Sequence, residues 1–322
     1  MKILSNERGV ALVMVLWIFV FLFVVAVDFA ASVRDEGMAA HRYAEETEGY
    51  YLALAGFEHG LYAILNPSEF GVVQRADLID GDWRERSLKE GFYRVRLSDE
   101  GGKINLNRAN EETLRLVFTN LGIEEPLRTI LVDSIIDWRD EDSLHRVNGA
   151  EDDYYLSLTP PYTAKNGPFD SVEELLWVRG VTPELFYGVQ GSGAQRAALK
   201  DIFTVDNPQD RINLPTATAE VIHALAGVPL ATSRAFVEER KTLSDKTIED
   251  ILGLLGIGAE NPARRYFAVV VPAVITIEAA GYHDASAPQR RLKGVIRVLG
   301  DRGVEVIRWI DRDTAAADGS EG

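Results

Sequence analysis

Two acidic runs, Asp137-Trp138-Arg139-Asp140-Glu141-Asp142 and Glu151-Asp152-Asp153-Tyr154-Tyr155, put seven carboxylates within seventeen residues. Carboxylates this close repel one another and resist ionising together unless a cation screens them. Hard oxygen ligands on two segments joined by a loop suit Ca²⁺, which takes about six to eight oxygens from carboxylates, carbonyls, amides and water. The spacing is not that of an EF-hand, since no D-x-[DN]-x-[DN]-G run with a closing Glu is present. A solvated acidic loop is the plain alternative for a charge run. Trp138, Tyr154 and Tyr155 among the acids argue that part of the loop is held against a core. Paired carboxylates could also serve a glycosidase, but no substrate-cleft signature accompanies them.

Composition narrows the field further. The 322 residues carry 34 basic and 50 acidic side chains, a formal charge of −16, which opposes phosphate backbones and favours cations. The absence of cysteine removes disulfides, thiolate catalysis and cysteine metal sites. No phosphate loop, zinc spacing or nucleophile elbow is present, and the histidines (His41, His59, His145, His223, His283) are scattered, so no enzyme is expected.

The acids lie in a block of helical periodicity. Gly91 to Leu97 alternates apolar and charged residues and reads as a half-buried strand closed by the turn-rich Ser98-Asp99-Glu100-Gly101-Gly102. Helical spacing then covers Glu111 to Gly122, Leu127 to Trp138, Ser171 to Arg179, Thr216 to Ala226, Ser233 to Lys241 and Thr247 to Leu255. Asp170 or Ser171 can cap the third of these, and Glu173 and Glu174 fall in its first turn, where the helix dipole favours negative charge. Ile104-Asn105-Leu106-Asn107 with Leu121-Gly122-Ile123, and Ile212-Asn213-Leu214-Pro215 with Leu225-Ala226-Gly227-Val228, read as two copies of one short helical unit. The copies are similar to helix-hairpin-helix modules, which bind DNA backbone. Residues 104–265 hold 16 basic and 26 acidic residues, however, and 16 − 26 gives −10, a surface that repels phosphate. Gly188 to Gly193 reads as a surface loop. Phe267 to Val271, Val274 to Ala279, Arg291 to Leu299 and Val304 to Ile310, with a turn at Gly300-Asp301-Arg302-Gly303, read as antiparallel strands joined by the strand near Phe92.

At the N-terminus, Val10 to Val27 contains no charge, amide or proline, and eighteen residues make roughly 27 Å of helix, about a bilayer core. Lys2 and Arg8 precede it and Asp28 comes after it, so the positive-inside bias places the N-terminus in the cytoplasm and the body outside. A cleaved secretory signal ending near Phe29-Ala30-Ala31 is the alternative, though the run is longer than the usual apolar region of such a signal. Ser32 to Leu65 continues as an amphipathic stem, with Tyr51, Leu54, Phe57, Leu61 and Ile64 on one face, and Asn66-Pro67 ends it. Gly37, Gly49, Gly56 and Gly60 either weaken this helix or let it pack closely on a sheet.

A short leader ending in Gly9, cut before Val10, then a long apolar helix, resembles the signal of type IV pilins and type II secretion pseudopilins. Most members carry glutamate as the fifth residue after the cut; here that position is Met14. The resemblance implies that this glutamate meets the neighbouring subunit's N-terminal amine, so a subunit lacking it suits the end of a filament. Gly102 to Asn107, Ile136-Asp137-Trp138, Asn148 to Tyr155 and Ala164 to Leu175 resemble, in order, the insert of the protein K family of minor pseudopilins.

That resemblance implies an α+β fold, in which a long pilin-like N-terminal helix packs on an antiparallel sheet with a large all-α domain inserted between strands. The expected divisions are a leader (1–9), a transmembrane and stem helix (10–65), a body (66–103 and 266–312), a helical insert (104–265) and a disordered tail (313–322). It further implies calcium in the insert, with Asp137, Asp140, Asp142, Glu151, Asp152 and Asp153 as candidate ligands. Prepilin peptidase, an N-terminal methylation, minor pseudopilins of I and J type, the major pseudopilin and an inner-membrane assembly platform are the implied partners and processing. The resulting expectation is a single-pass inner-membrane protein with a periplasmic body, a non-enzymatic tip subunit in protein export. A type IV minor pilin or adhesin and a DNA-uptake protein are the alternatives.

Overall fold

The computed structural model describes residues 7–72, 75–188, 197–240, 247–283, 290–300 and 303–311. The expected loop over residues 189–193, the turn residues Asp301 and Arg302, the tail 313–322 and most of the leader lie outside the described residues.

The first element, α1 (Glu7–Leu65), is one unbroken helix of 59 residues, about 90 Å long at 1.5 Å per residue. Its two halves live in different surroundings. From Leu12 to Phe29 its large apolar residues stand exposed, as a segment made for lipid requires. Near its other end Leu52, Ala53, Phe57, Ala63 and Ile64 are buried against a sheet. Gly56 and Gly60 allow that contact: a Cβ on Gly56 would stand 2.8 Å from the Tyr93 ring, and one on Gly60 3.1 Å from Val95, Leu97 and Ile277. Gly37 has open space around it and takes no part in this packing.

The sheet is built from β1 (Arg84–Leu88) and β2 (Gly91–Asp99), then, far along the chain, β7 (Val274–Tyr282), β8 (Arg290–Leu299) and β9 (Gly303–Asp311). Its order is β1-β2-β7-β8-β9, antiparallel throughout. Asp99 pairs with Ile275, so the chain leaves the sheet at the end of β2 and re-enters beside the same point. Everything between is an insert.

That insert contains β3 (Ile104–Asn105), α2 (Glu111–Asn120), α3 (Leu127–Arg139), α4 (Asp152–Tyr155), α5 (Pro183–Tyr187), α6 (Leu199–Ile202), β4 (Phe203–Thr204), β5 (Ile212–Asn213), α7 (Ala219–Ala226), α8 (Leu230–Arg240), α9 (Ile248–Leu254) and β6 (Phe267–Ala268). It has its own core, separate from that of the body, built around Leu106, Leu114, Phe118, Leu131, Ile135, Tyr155 and Phe203. The run from Phe267 to Val271 does not join the main sheet: Phe267 packs in the insert core and pairs in parallel with Ile212. The expected body boundary at 266 therefore moves to the start of β7. Short apolar runs look alike in either setting, and here burial of Phe267 against the helices decides. The stretch Ser171 to Arg179 forms a 3₁₀ segment, Val172–Trp177, in place of an α-helix.

The two copies read from the sequence are two copies in space. Ile104-Asn105 pairs in parallel with Phe203-Thr204, and Ile212-Asn213 with Phe267-Ala268. Five residues after each Asn an N-cap opens a helix: Asn110 accepts the N–H of Thr113, and Thr218 that of Val221. The helices end before Gly122 and Gly227, both with positive φ. The units touch where Asn120 donates to the Ala224 carbonyl at 2.9 Å.

Insert and body meet at a buried polar joint. Glu100 accepts from Lys103 at 2.8 Å and Thr276 at 2.7 Å on one oxygen and from Thr204 on the other. Asp99 accepts from Gly101 N–H at 2.8 Å, Asn213 at 2.8 Å and Thr216 at 2.6 Å. Thr204 belongs to β4, Asn213 to β5 and Thr276 to β7, so the joint ties both units to the sheet.

Candidate metal centre

The acid cluster forms around the C-terminal end of α3. Asp133 and Asp137, one helical turn apart, face the loop after the helix. Asp133 accepts the N–H of Asn148 at 3.2 Å and Asp137 that of Arg146 at 3.0 Å, which folds the loop back on the helix. Gly149 is required there: a Cβ would collide with the Asp137 carboxylate. Its carbonyl accepts from Arg179 at 2.9 Å.

This return brings Asp140, Asp142 and Glu151 together. One carboxylate oxygen from each lies within 4.8 Å of the others, a spacing a single cation can span. Asp137 Oδ1, Asp140 Oδ1 and both oxygens of Glu151 are buried and accept no hydrogen bond. Unpaired buried acceptors are costly, and the cost shows in their acidity. Burial, then the charges of Asp137, Asp140, Asp152 and Asp142, push Glu151 up to about 7. Burial pushes Asp137 up to about 6 despite the N–H of Arg146. Burial and Asp142 raise Asp140. Four unfilled acceptor oxygens on three side chains, with Asp142 beside them, fit a hard divalent cation.

Asp152 and Asp153 stand outside the converging three. Asp152 accepts the N–H of Ala164 at 2.8 Å and Asp153, exposed, that of Tyr154 at 2.8 Å. Neither belongs to the group that could hold an ion. Arg146 stands beside the cluster, its Nε 3.8 Å from Asp137 Oδ1, and is tethered to Glu111 at 2.9 Å.

An aromatic wall backs the site. Trp138 meets Tyr155 edge-on at 5.2 Å, Tyr155 meets Tyr162 at 5.2 Å, and Tyr162 meets Trp177 at 5.2 Å. Tyr155 is fully buried, so the second acidic run is held on a core. The Glu174 carboxylate accepts the N–H groups of Asp170 and Ser171 at 2.7 and 3.1 Å and pairs with Lys165 at 2.8 Å, closing the far side of the loop.

At the N-terminus, Met14 stands 63% exposed on α1. Gly9 and Val10 lie within the helix, and their side chains fall outside the described residues.

Known proteins share this outline. The family model for type II secretion system (T2SS), protein K, matches residues 96–190, the part holding the two carboxylates of the joint and the acid cluster. Type II secretion system protein K of Pectobacterium carotovorum subsp. carotovorum is 24% identical over 291 residues, 82% of this chain and 85% of that protein. The Klebsiella pneumoniae protein of that name is 27% identical over 199 residues, 56% of this chain and 60% of its own length. That of Aeromonas hydrophila is 41% identical over 76 residues, 23% of each. A chain in the crystal structure of the GspK-GspI-GspJ complex from the enterotoxigenic Escherichia coli type 2 secretion system shares the fold, with a TM-score of 0.56 at 15% identity over 83% of this chain and 100% of that one.

Proposed function

We propose that this chain, a member of the type II secretion system protein K family of minor pseudopilins, stands at the tip of the short filament that supports protein export and caps or initiates it. The observation that carries this reading is the direction of the insert. Along α1 the contacts run from Gly91 beside Leu52, through Tyr93 beside Gly56, to Val95 and Leu97 beside Gly60. Strand β2 thus runs the same way as α1, and Asp99 lies at the end of the body farthest from the apolar half of the helix. An insert of this bulk at the far end leaves no room for a subunit stacked above, while the flank of α1 stays open for subunits beside it. Met14, without a carboxylate to offer a neighbour's amine, agrees with an end position.

In this reading the apolar half of α1 anchors the chain in the inner membrane with the body in the periplasm, after cleavage between Gly9 and Val10. Asp140, Asp142 and Glu151, with Asp137 behind them, would hold Ca²⁺; the ion would neutralise the repulsion that keeps these acids from ionising together. The role is structural and not enzymatic.

The direct test is co-purification of the full-length chain from detergent-solubilised membranes with tagged minor pseudopilins of I and J type. A complex with both, with nothing stacked above this chain, is the expected pattern. A chain that stays alone in the presence of both would overturn the proposal.

A further inference from the structure

The two units of the insert close in the same way, with an arginine. Helix α3 ends at Arg139, whose two terminal nitrogens donate to the carbonyls of Leu106 and Ala109, the latter at 2.5 Å. Helix α8 ends at Arg240, which donates to the carbonyls of Leu214, at 3.3 Å, and Ala217. Leu106 and Ala109 stand in Ile104-Asn105-Leu106-Asn107-Arg108-Ala109, Leu214 and Ala217 in Ile212-Asn213-Leu214-Pro215-Thr216-Ala217. These are equivalent carbonyls of the turn that opens each unit. A guanidinium reaches both carbonyls at once, Arg139 through its two terminal nitrogens and Arg240 through Nη1 alone. Both arginines are half-buried.

Beyond the clamps the two units diverge. After Arg139 the chain turns out of the helix at once: Asp140 is extended (φ −80°, ψ 167°) with its N–H on the Ile136 carbonyl. Asp140 and Asp142 are two of the three side chains that converge with Glu151. After Arg240 the sequence reads Lys241-Thr242-Leu243, with no carboxylate at the matching positions. The same anchor thus precedes an acid cluster in one unit and, among the described residues, none in the other.

We propose that Arg139 is a positioning residue for the cation site, fixing the point from which Asp140 and Asp142 leave α3, while Arg240 is the same clamp in a purely architectural role. The inference rests on the calcium reading above. Ligands held by a fixed helix end converge without ordering at the moment of binding, and loss of such an outer support costs about 10- to 100-fold in metal affinity.

The test uses the full-length chain in detergent and the metals alone, Ca²⁺ by calorimetry and Tb³⁺ by emission excited through Trp138, two residues from Asp140. Arg139→Gln is expected to raise the Kd for both ions about tenfold or more and to dim the Trp138-excited emission. Arg240→Gln is expected to lower the melting temperature as well, yet leave both Kd values within about twofold, because it has no contact with the site. Should Arg139→Gln fail to fold, Arg139→Lys keeps the charge without the fork, and its Kd must also rise. An unchanged Kd in the Arg139 variant that folds, or equal weakening by Arg240→Gln, overturns the positioning role alone. A wild-type chain that binds neither ion overturns the calcium reading and this inference with it.

Discussion

Two groups of buried carboxylates in this chain are handled in opposite ways. At the joint, each oxygen of Asp99 and Glu100 meets a donor from the protein. Burial opposes the charge on Glu100, but the Lys103 ammonium and the hydroxyls of Thr204 and Thr276 outweigh it and hold the carboxyl down at about 2. Asp99, short of a cation, is raised by burial in spite of its three donors. At the end of α3 the protein brings carboxylates together and leaves both Glu151 oxygens without a donor. Burial has the same sign in both places, so the partners make the difference. A carboxylate site closed by protein donors is architecture; one left open is where we propose a cation.

The sharpest way to break this contrast is at the joint. Glu100→Ala takes from the half-buried Lys103 the carboxylate it pairs with, and breaking such a pair costs up to about 3–5 kcal/mol. Denaturant unfolding of the full-length chain is expected to show that loss equally with calcium and with chelator. A smaller effect concerns the open site: calcium at about 100 times its Kd is expected to stabilise by about 2.7 kcal/mol, and Asp140→Ala with Asp142→Ala to abolish the gain.

Gly149→Ala comes next. Forcing a methyl group against the Asp137 carboxylate is expected to cost about 1–3 kcal/mol and to weaken cation binding, as measured by melting with and without calcium. Asp153→Ala is the smallest: an exposed residue away from the cluster is expected to change stability by less than about 0.5 kcal/mol and calcium affinity not at all.

Acid and base should act on the two regions in opposite directions. Glu100 lies at about 2 against an ordinary 4.5, so its contribution is present above 4.5 and is lost as pH falls toward 2. Glu151 is raised from 4.5 to about 7 and Asp137 from 3.8 to about 6, so their contribution is full below pH 3.8 and is lost as pH rises through 6 to 7. Melting curves in chelator are expected to show stability falling across that upper window, with the calcium gain growing over the same range. A calcium gain independent of pH would break the assignment of Glu151.

Much of this is legible in local sequence. The stem, the acid runs and the two Ile-Asn-Leu turns carry their signal within a few residues, and periodicity or composition reveals them. The joint is not legible. Ser98-Asp99-Glu100-Gly101-Gly102 reads as an ordinary turn because the groups that satisfy it, Thr204, Asn213, Thr216 and Thr276, lie a hundred or more residues away. Strand β1 escapes for a related reason: Arg84-Glu85-Arg86-Ser87-Leu88 has no apolar alternation, being an edge strand whose side chains face solvent. Within the acid runs, sequence does not show which acids converge. Asp152 and Asp153 look like Asp140 and Asp142 until the fold brings the latter two within reach of Glu151.

The claim that the α3 cluster is open to a cation is tested most directly by calcium titration of the full-length chain in detergent, with thermal unfolding as the readout. The account expects the melting temperature to rise with calcium, to return on adding EDTA, and to stay still in the Asp140→Ala, Asp142→Ala variant. A melting temperature unmoved by millimolar calcium in the unmodified chain would contradict it.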